Sequence, residues 1–131
     1  MRDIISLKEG EFMTMQESGE MYLETILVLE KRLGTVHSID VAHEMNFSKA
    51  AISRAMTKLK ADEYLIIDED SHIRLTEKGR KIATDIYERH NVLTSFLMSL
   101  GVSEETAIAD ACKMEHDISE ETFGIIKNAI K

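Results

Sequence analysis

Three residues near the carboxyl-terminal end have the types and spacing of a metal site. Cys112, Glu115 and His116 stand at positions i, i+3 and i+4, which share one face of a helix. A thiolate, a carboxylate and an imidazole on one face can converge on a transition-metal ion. The simpler alternative is a small buried cysteine beside two residues of a solvated helix face. The pattern marks a candidate metal site.

Two other segments contain residues that could complete such a site. Met21 and Glu24 are three positions apart and would supply a thioether and a carboxylate from one helical face. His90 lies midway along a long predicted helix. Without a metal, Met21 would be an ordinary core residue and His90 an ordinary hydrogen-bonded histidine. These three residues are the candidates for additional ligands.

The elements that must position these residues are mostly helical. Apolar residues recur at three- and four-residue spacing, and Ser or Thr stands at most predicted helix starts. These predicted N-caps are Ser38, Ser48, Thr76, Ser103 and Ser119. The predicted helices cover residues 20–33, 38–45, 49–62, 77–100, 104–116 and 120–131. Two β-prone runs, 64–67 and 73–76, surround a polar turn and predict a hairpin.

Residues 38–59 have the pattern of a helix-turn-helix. Ala42 is small enough for close helix approach, Asn46 tolerates a left-handed turn, and Ile52 is apolar and can join the two helices. A hairpin directly after the second helix makes this unit a winged helix. The alternative is an ordinary helical hairpin without a DNA-binding role, and the spacing alone is moderately specific.

The charge of the chain is unevenly distributed. The 131 residues carry a formal net charge of −8, which as a whole argues against nucleic-acid binding. Residues 35–82, however, hold eight acidic and eight basic residues, whereas residues 1–34 hold seven and four, and residues 83–131 hold nine and four. No acidic residue lies between Glu44 and Asp62. The predicted second helix is therefore basic enough to meet phosphates, while the acidic remainder attracts cations.

The basic helix offers specific candidate contacts to DNA. Arg54, one turn into the helix, can donate two hydrogen bonds to a guanine edge. Lys49 and Lys58 suit phosphates, as does Arg74 on the hairpin. For any one of these residues, a solvated surface charge is the simpler alternative.

The chain has no sequence feature of a membrane or secreted protein. No apolar run approaches the roughly 20 residues of a membrane span, and the segment MRDIISLKEGEF lacks the apolar centre of a signal peptide. The single cysteine precludes an internal disulfide and suits a reducing compartment. A cytoplasmic protein is expected.

Several motifs together resemble the diphtheria-toxin-repressor family of metal-dependent transcriptional repressors. They are EMYLETI at 20–26, the helix-turn-helix, LTEKGRKIA at 75–83, ERH at 88–90 and DACKMEHDIS at 110–119. The resemblance covers roughly residues 18–130. In its length the chain resembles the short, manganese-regulator-like subgroup, which lacks an SH3-like domain. It implies a mainly α fold, with a winged helix-turn-helix DNA-binding domain over residues 1–82 and a helical metal-binding and dimerisation domain over residues 83–131.

The resemblance also implies roles for the candidate ligands. The residues that match the family's primary activating site are Met21, Cys112, Glu115 and His116. Glu24 and His90 match ligands of a second site. Thr94 and Ile108 stand where the iron-type ancillary site has Glu and His. Any second site is therefore expected to be of the Glu24, His90, Glu115 kind.

The resemblance further implies a homodimer that binds palindromic operators of metal-uptake genes. The residues expected to contact DNA, from the resemblance and the charge pattern together, are Ser48, Lys49, Ala50, Ala51, Ser53, Arg54, Lys58 and Arg74. A metal ion held by ligands of both halves would select one orientation of the two DNA-binding helices, so metal and DNA binding would strengthen each other.

The identity of the metal is predicted from ligand chemistry. Two sulfur ligands, Met21 and Cys112, favour Fe²⁺, and Co²⁺, Ni²⁺ or Zn²⁺ in vitro, over the harder Mn²⁺. The short manganese regulators commonly have carboxylates at these two positions, yet the short length of the chain favours Mn²⁺. Fe²⁺ is the first expectation and Mn²⁺ the second.

Three other functions remain as alternatives. A winged-helix regulator without metal control would bind DNA equally well in a chelator. An enzyme would use Cys112 as nucleophile and His116 as base, but no orienting third group or glycine-rich oxyanion loop is evident. A helical module that binds protein is disfavoured by the acid-free stretch between Glu44 and Asp62.

Overall fold

The computed structural model describes residues 15–130, in which six helices and one hairpin follow one another. The helices are α1 (Met15–Leu33), α2 (Ser38–Met45), α3 (Lys49–Ala61), α4 (Glu77–Ser99), α5 (Glu104–Met114) and α6 (Glu120–Ala129), and the strands are β1 (Leu65–Ile67) and β2 (Ile73–Leu75). The described chain divides into two compact units, residues 15–84 and residues 85–130. None of its helices is long and apolar enough to cross a membrane.

The turn between α2 and α3 is the predicted helix-turn-helix turn. Asn46 ends α2 in the left-handed conformation, with φ 57°, and its backbone N–H reaches the carbonyls of Ala42 and His43. Ser48 begins α3 by accepting a hydrogen bond from the Ala51 N–H at 3.1 Å. The predicted left-handed turn at Asn46 and the predicted N-cap at Ser48 are both confirmed. Asparagine tolerates the left-handed conformation that ends α2, and the serine hydroxyl pairs with a backbone N–H that has no partner within α3.

The start of α2 differs by one residue from the prediction. Ser38 is already helical, and His37 is the N-cap. The reason is Asp40, whose Oδ2 accepts the His37 backbone N–H at 2.8 Å and so satisfies a donor before the first turn. The first helix also begins earlier than predicted, at Met15 instead of Glu20.

An apolar core joins the three helices of the first unit. Helix α2 contacts both α1 and α3. The buried apolar side chains of these helices include Leu23, Ile26, Val41, Ala42, Ile52, Met56 and Leu59. Since burial of each such side chain contributes roughly 1.5–3 kcal/mol, this core holds α3 at a fixed angle to the rest of the unit.

The wing is an antiparallel pair with Leu65 opposite Leu75 and Ile67 opposite Ile73. Helix α4 begins directly after it, where Thr76 Oγ1 accepts the Gly79 N–H at 3.1 Å and confirms the predicted cap. Gly79 is required here, since a Cβ at this position would lie 2.0 Å from the Tyr64 carbonyl oxygen. The wing is thus packed tightly onto the start of α4.

The second unit consists of the carboxyl-terminal part of α4 with α5 and α6. Its buried apolar side chains are Ile86, Leu93, Ala107, Ala111 and Phe123. Ser103 and Ser119 accept hydrogen bonds from the N–H groups of Thr106 and Thr122, so both predicted caps are confirmed. Helix α5 ends at Met114, before the predicted end at residue 116, and leaves Glu115 as its C-cap.

Candidate metal centre and nucleic-acid interface

The second unit brings three of the predicted metal ligands together. His90 comes from α4, Cys112 from the last turn of α5, and Glu115 from its C-cap. An imidazole nitrogen, the thiol sulfur and a carboxylate oxygen of these residues all lie within 4.8 Å of one another. Metal bonds to such atoms are about 2.0–2.3 Å long. Two donors on opposite sides of one ion therefore lie about twice that distance apart, which is close to the separation observed here. The donor set fits a transition-metal ion.

Glu115 is the centre of this cluster. Its side chain is only 1% exposed, and its two oxygens face two different imidazoles. His90 Nδ1 lies 2.9 Å from Oε2, and His116 Nε2 lies 3.4 Å from Oε1. A buried carboxylate needs hydrogen-bonding partners to offset the cost of its removal from water. The Glu115 carboxylate lies between two imidazoles that can also bind a metal.

The backbone at Glu115 is fixed by a residue to which the sequence analysis gave no role. Arg89 Nη1 donates to the carbonyl oxygen of Glu115 at 3.2 Å and to that of Ile118 at 2.6 Å. The guanidinium carbon also lies 5.3 Å from the centre of the Phe123 ring. The only signal in the sequence was the position of Arg89 directly before His90 in the motif ERH.

The remaining predicted ligands, Met21 and Glu24, lie on α1 in the first unit. Both side chains are half-buried. Their backbone is regular helix, and Thr25 Oγ1 donates to the Met21 carbonyl at 2.8 Å. Their spacing places them on one face of α1, as predicted. Their role as ligands stays a prediction.

A second cluster of ionisable groups lies in the turn of the wing. Ligand atoms of Asp68, Asp70 and His72 lie within 4.8 Å of one another. Asp68 is already engaged, because it accepts the backbone N–H groups of Asp70 and His72 and the Nε–H of Arg74 at 2.9 Å. These hydrogen bonds, that from Arg74 first, lower the pKa of Asp68 to about 2. The side chain of Asp68 therefore stabilises the turn between the two strands of the wing.

The predicted DNA-contacting residues are mostly on the exposed face of α3. The exposed members of this set on or next to α3 are Ser48, Lys49, Ala50, Ser53, Arg54 and Lys58. The side chain of Ala51 is only 6% exposed, so it has little surface for DNA, and its contact with DNA stays a prediction. Arg74 is 59% exposed but is bound to Asp68, so its charge is partly used within the wing.

Comparisons with known proteins agree with this arrangement. The family description "iron dependent repressor, N-terminal DNA binding domain" matches residues 14–73, and "iron dependent repressor, metal binding and dimerisation domain" matches residues 76–131. The HTH-type transcriptional regulator MntR of Geobacillus kaustophilus is 35% identical over 102 residues, which are 78% of this chain and 72% of that protein. The MntR of Bacillus subtilis is 34% identical over the same fractions.

Solved structures show the same fold. The manganese regulator SloR is 26% identical with a TM-score of 0.75, and the apo form of the manganese-activated repressor ScaR is 28% identical with a TM-score of 0.72. Each likeness covers 85% of this chain, which spans only about half, 52% and 53%, of those structures. With both domains matched in order, the chain belongs to the diphtheria-toxin-repressor family of metal-dependent transcriptional repressors.

Proposed function

We propose that this protein represses transcription by binding operator DNA as a homodimer when a divalent metal ion is bound. The observation that carries the proposal is the convergence of His90, Cys112 and Glu115, in a chain that also contains a winged helix with a basic helix α3. A bound metal ion supplies a cross-link between ligands from different segments. The residues themselves supply the donor atoms and the fixed helices that hold them.

The proposed ligand set is the one expected from the sequence. It comprises Met21, Glu24, His90, Cys112, Glu115 and His116. The distances within the second unit support the four ligands from α4 and the end of α5, which are His90, Cys112, Glu115 and His116. The assignment of Met21 and Glu24 is based on the sequence resemblance. Because these ligands come from both units, metal binding and DNA binding are expected to be linked, each strengthening the other by the same factor.

The metal is proposed to be Mn²⁺ or Fe²⁺. Relatives named as manganese regulators, SloR and ScaR among them, favour Mn²⁺. The thiol of Cys112, whose sulfur lies within the cluster, favours the softer Fe²⁺. Because the relatives are named as manganese regulators, we place Mn²⁺ first and Fe²⁺, which rests on the proposed sulfur ligands Met21 and Cys112, second.

The proposed DNA interface is the exposed face of α3 together with the wing. Arg54 has no ion pair or hydrogen bond within the described residues, so its guanidinium can donate to a base edge. Lys49 and Lys58 lie on the same helix and are exposed, as phosphate contacts require. We propose Ser48, Ala50 and Ser53 as neighbours of the DNA, and Arg74 as a wing contact.

The proposed dimer interface belongs to the second unit. Large apolar side chains are exposed on its helices and on the segment after α4, with Leu100 at 65% and Ile125 at 64%. Met98 and Ile108 are also exposed. The match of residues 76–131 to a metal binding and dimerisation domain supports this placement of the interface.

The decisive experiment measures DNA binding against metal. Fluorescence anisotropy with the DNA upstream of the protein's own gene would be recorded in chelator, in Mn²⁺ and, under anaerobic conditions, in Fe²⁺. We expect saturable binding with two protomers per site in metal and at least tenfold weaker binding in chelator, a coupling of about 1.4 kcal/mol. Equal affinity in chelator and metal would contradict the proposal and favour a winged-helix regulator without metal control.

A further inference from the structure

Consecutive residues of α4 hold opposite ends of Glu115. His90 Nδ1 lies 2.9 Å from the carboxylate, while Arg89 Nη1 donates to the main-chain carbonyl at 3.2 Å. The same Arg89 nitrogen donates to the Ile118 carbonyl at 2.6 Å. The side chain and the backbone of the central candidate ligand are thus fixed from one helix.

The position of Arg89 matters because α5 ends at this point. Glu115 is the C-cap, and the carbonyls beyond Met114 lack helical donors. A guanidinium supplies donors in a planar arrangement and places positive charge at a helix carboxyl end, where the helix dipole favours it. The hydrogen bonds from Arg89 therefore stabilise the turn between α5 and α6, together with the backbone N–H groups of Asp117 and Ile118 that donate to the Met114 carbonyl.

The guanidinium is itself held in place. Its Cζ lies 5.3 Å from the ring centre of Phe123, a buried residue of α6. A cation over an aromatic face at this distance is attracted to the ring. Arg89 is therefore attached to three segments at once, namely α4, the turn after α5, and α6.

We infer that Arg89 is a positioning residue of the metal centre, which sets the backbone from which Glu115 and His116 project. The inference rests on the metal site proposed above. Arg89 does not itself offer an atom to a metal, because its guanidinium remains protonated. Partners that orient metal ligands in this way typically contribute 10–100-fold to metal affinity.

The test compares three variants of the full chain. Arg89→Met keeps an apolar stem beside Phe123 but removes all donors, and Arg89→Lys restores a cationic donor. The matched control is Lys127→Gln, which breaks the 2.7 Å Lys127–Glu88 ion pair between the same two helices, one residue away from Arg89. Each variant is titrated with Co²⁺, and its affinity, its visible absorption spectrum and the melting temperature of the metal-free protein are recorded.

We expect Arg89→Met to bind Co²⁺ at least about tenfold more weakly, with an altered spectrum. Arg89→Lys should recover part of the affinity and the wild-type spectrum, and Lys127→Gln should stay within about twofold of wild type, since it does not touch the ligand turn. If Arg89→Met does not fold, Arg89→Leu, which also removes all donors, replaces it under the same expectation.

Three outcomes would overturn the inference. Co²⁺ affinity and spectrum unchanged in Arg89→Met, with wild type binding normally, would refute the role of Arg89 alone. An equal loss in Lys127→Gln would show that general helix packing, not the ligand turn, controls affinity. A wild-type protein that binds no Co²⁺ would refute the proposed metal centre itself, and the role of Arg89 with it.

Discussion

His90 Nδ1 lies 2.9 Å from Glu115 Oε2, and this carboxylate is 1% exposed. His90 lies on α4 and Glu115 at the end of α5, both of which pack on the core of the second unit. Side chains held on fixed helices have fewer conformations to lose, which lowers the conformational entropy that ligand binding must overcome.

Replacement of Glu115 by Gln should separate metal binding from folding. Glutamine has the same shape and can still hydrogen-bond His90, but it lacks the charge that a cation requires. We expect metal affinity to fall by more than about tenfold while the metal-free melting temperature changes little. Isothermal titration with Mn²⁺ measures the first and circular dichroism the second. Glu121→Gln, an exposed carboxylate in the first turn of α6, is the control.

Replacement of Cys112 by Ser tests which ions the site prefers. A hydroxyl is a harder and weaker donor than a thiolate, so the loss should be larger for Co²⁺ and Fe²⁺ than for Mn²⁺. The measurement is the ratio of the Co²⁺ and Mn²⁺ dissociation constants in both proteins. A ratio that does not change would mean that the Cys112 sulfur does not bind the ion.

Arg54→Ala should weaken operator binding by roughly 1–3 kcal/mol and relax the sequence preference at one base pair. The comparison is Lys60→Ala, which removes one positive charge from the same helix without a predicted base contact. That variant should weaken binding to all sequences by about the same factor, with a smaller dependence on salt. If Arg54→Ala also loses affinity equally for all sequences, Arg54 contacts phosphate instead of a base.

Gly79→Ala should destabilise the DNA-binding unit. The added Cβ would lie 2.0 Å from the Tyr64 carbonyl oxygen, so that α4 or the wing must move. Overpacking of this kind costs about 1–3 kcal/mol in the free energy of unfolding. Gly19→Ala in α1 is the matched control, since its Cβ would meet Leu59 at an ordinary 3.8 Å. Denaturant unfolding that ranks the two variants in the opposite order would contradict the contact.

The wing turn should become less stable at low pH, when Asp68 is protonated. Hydrogen bonds from Arg74 and the backbone lower the pKa of Asp68 from 3.8 to about 2. A carboxyl with a lowered pKa in the folded protein stabilises it fully above about pH 4, and that contribution is lost as the pH falls through about 2. The carboxyl carbon shift of Asp68, followed by NMR from pH 5 downward, should report this midpoint. Titration near 3.8 would show that the Arg74 contact does not persist.

The sequence was sufficient for the fold because its local signals agree with one another. Asn46 and Ser48 predicted the turn of the helix-turn-helix, and both act as expected, one by its left-handed backbone and one by its hydroxyl. The predicted start of α2 was wrong by one residue. His37 is the N-cap because its backbone N–H donates to the side chain of Asp40, which lies within the helix. Cap identity depends on side-chain direction, which residue types alone do not determine.

The site was predicted less completely than the fold. The spacing of Cys112 and Glu115 indicates a common helical face, but it contains no information on which distant residue meets them, and His90 was one of three candidates that spacing could not rank. Arg89 was missed because it acts on main-chain carbonyls, which every residue possesses and no motif records. Ala51 is largely buried, and residue type alone cannot distinguish a close approach to DNA from a place in the core, because small residues suit both.

The backbone N–H of Ile73, at the start of β2, donates to the Val36 carbonyl at 2.7 Å. An isolated hairpin would leave both of its outer edges open to pairing with strands of other molecules, which is a common route to aggregation. Here the segment before α2 occupies the beginning of one edge. The wing therefore offers a shorter template for strand pairing with neighbouring chains.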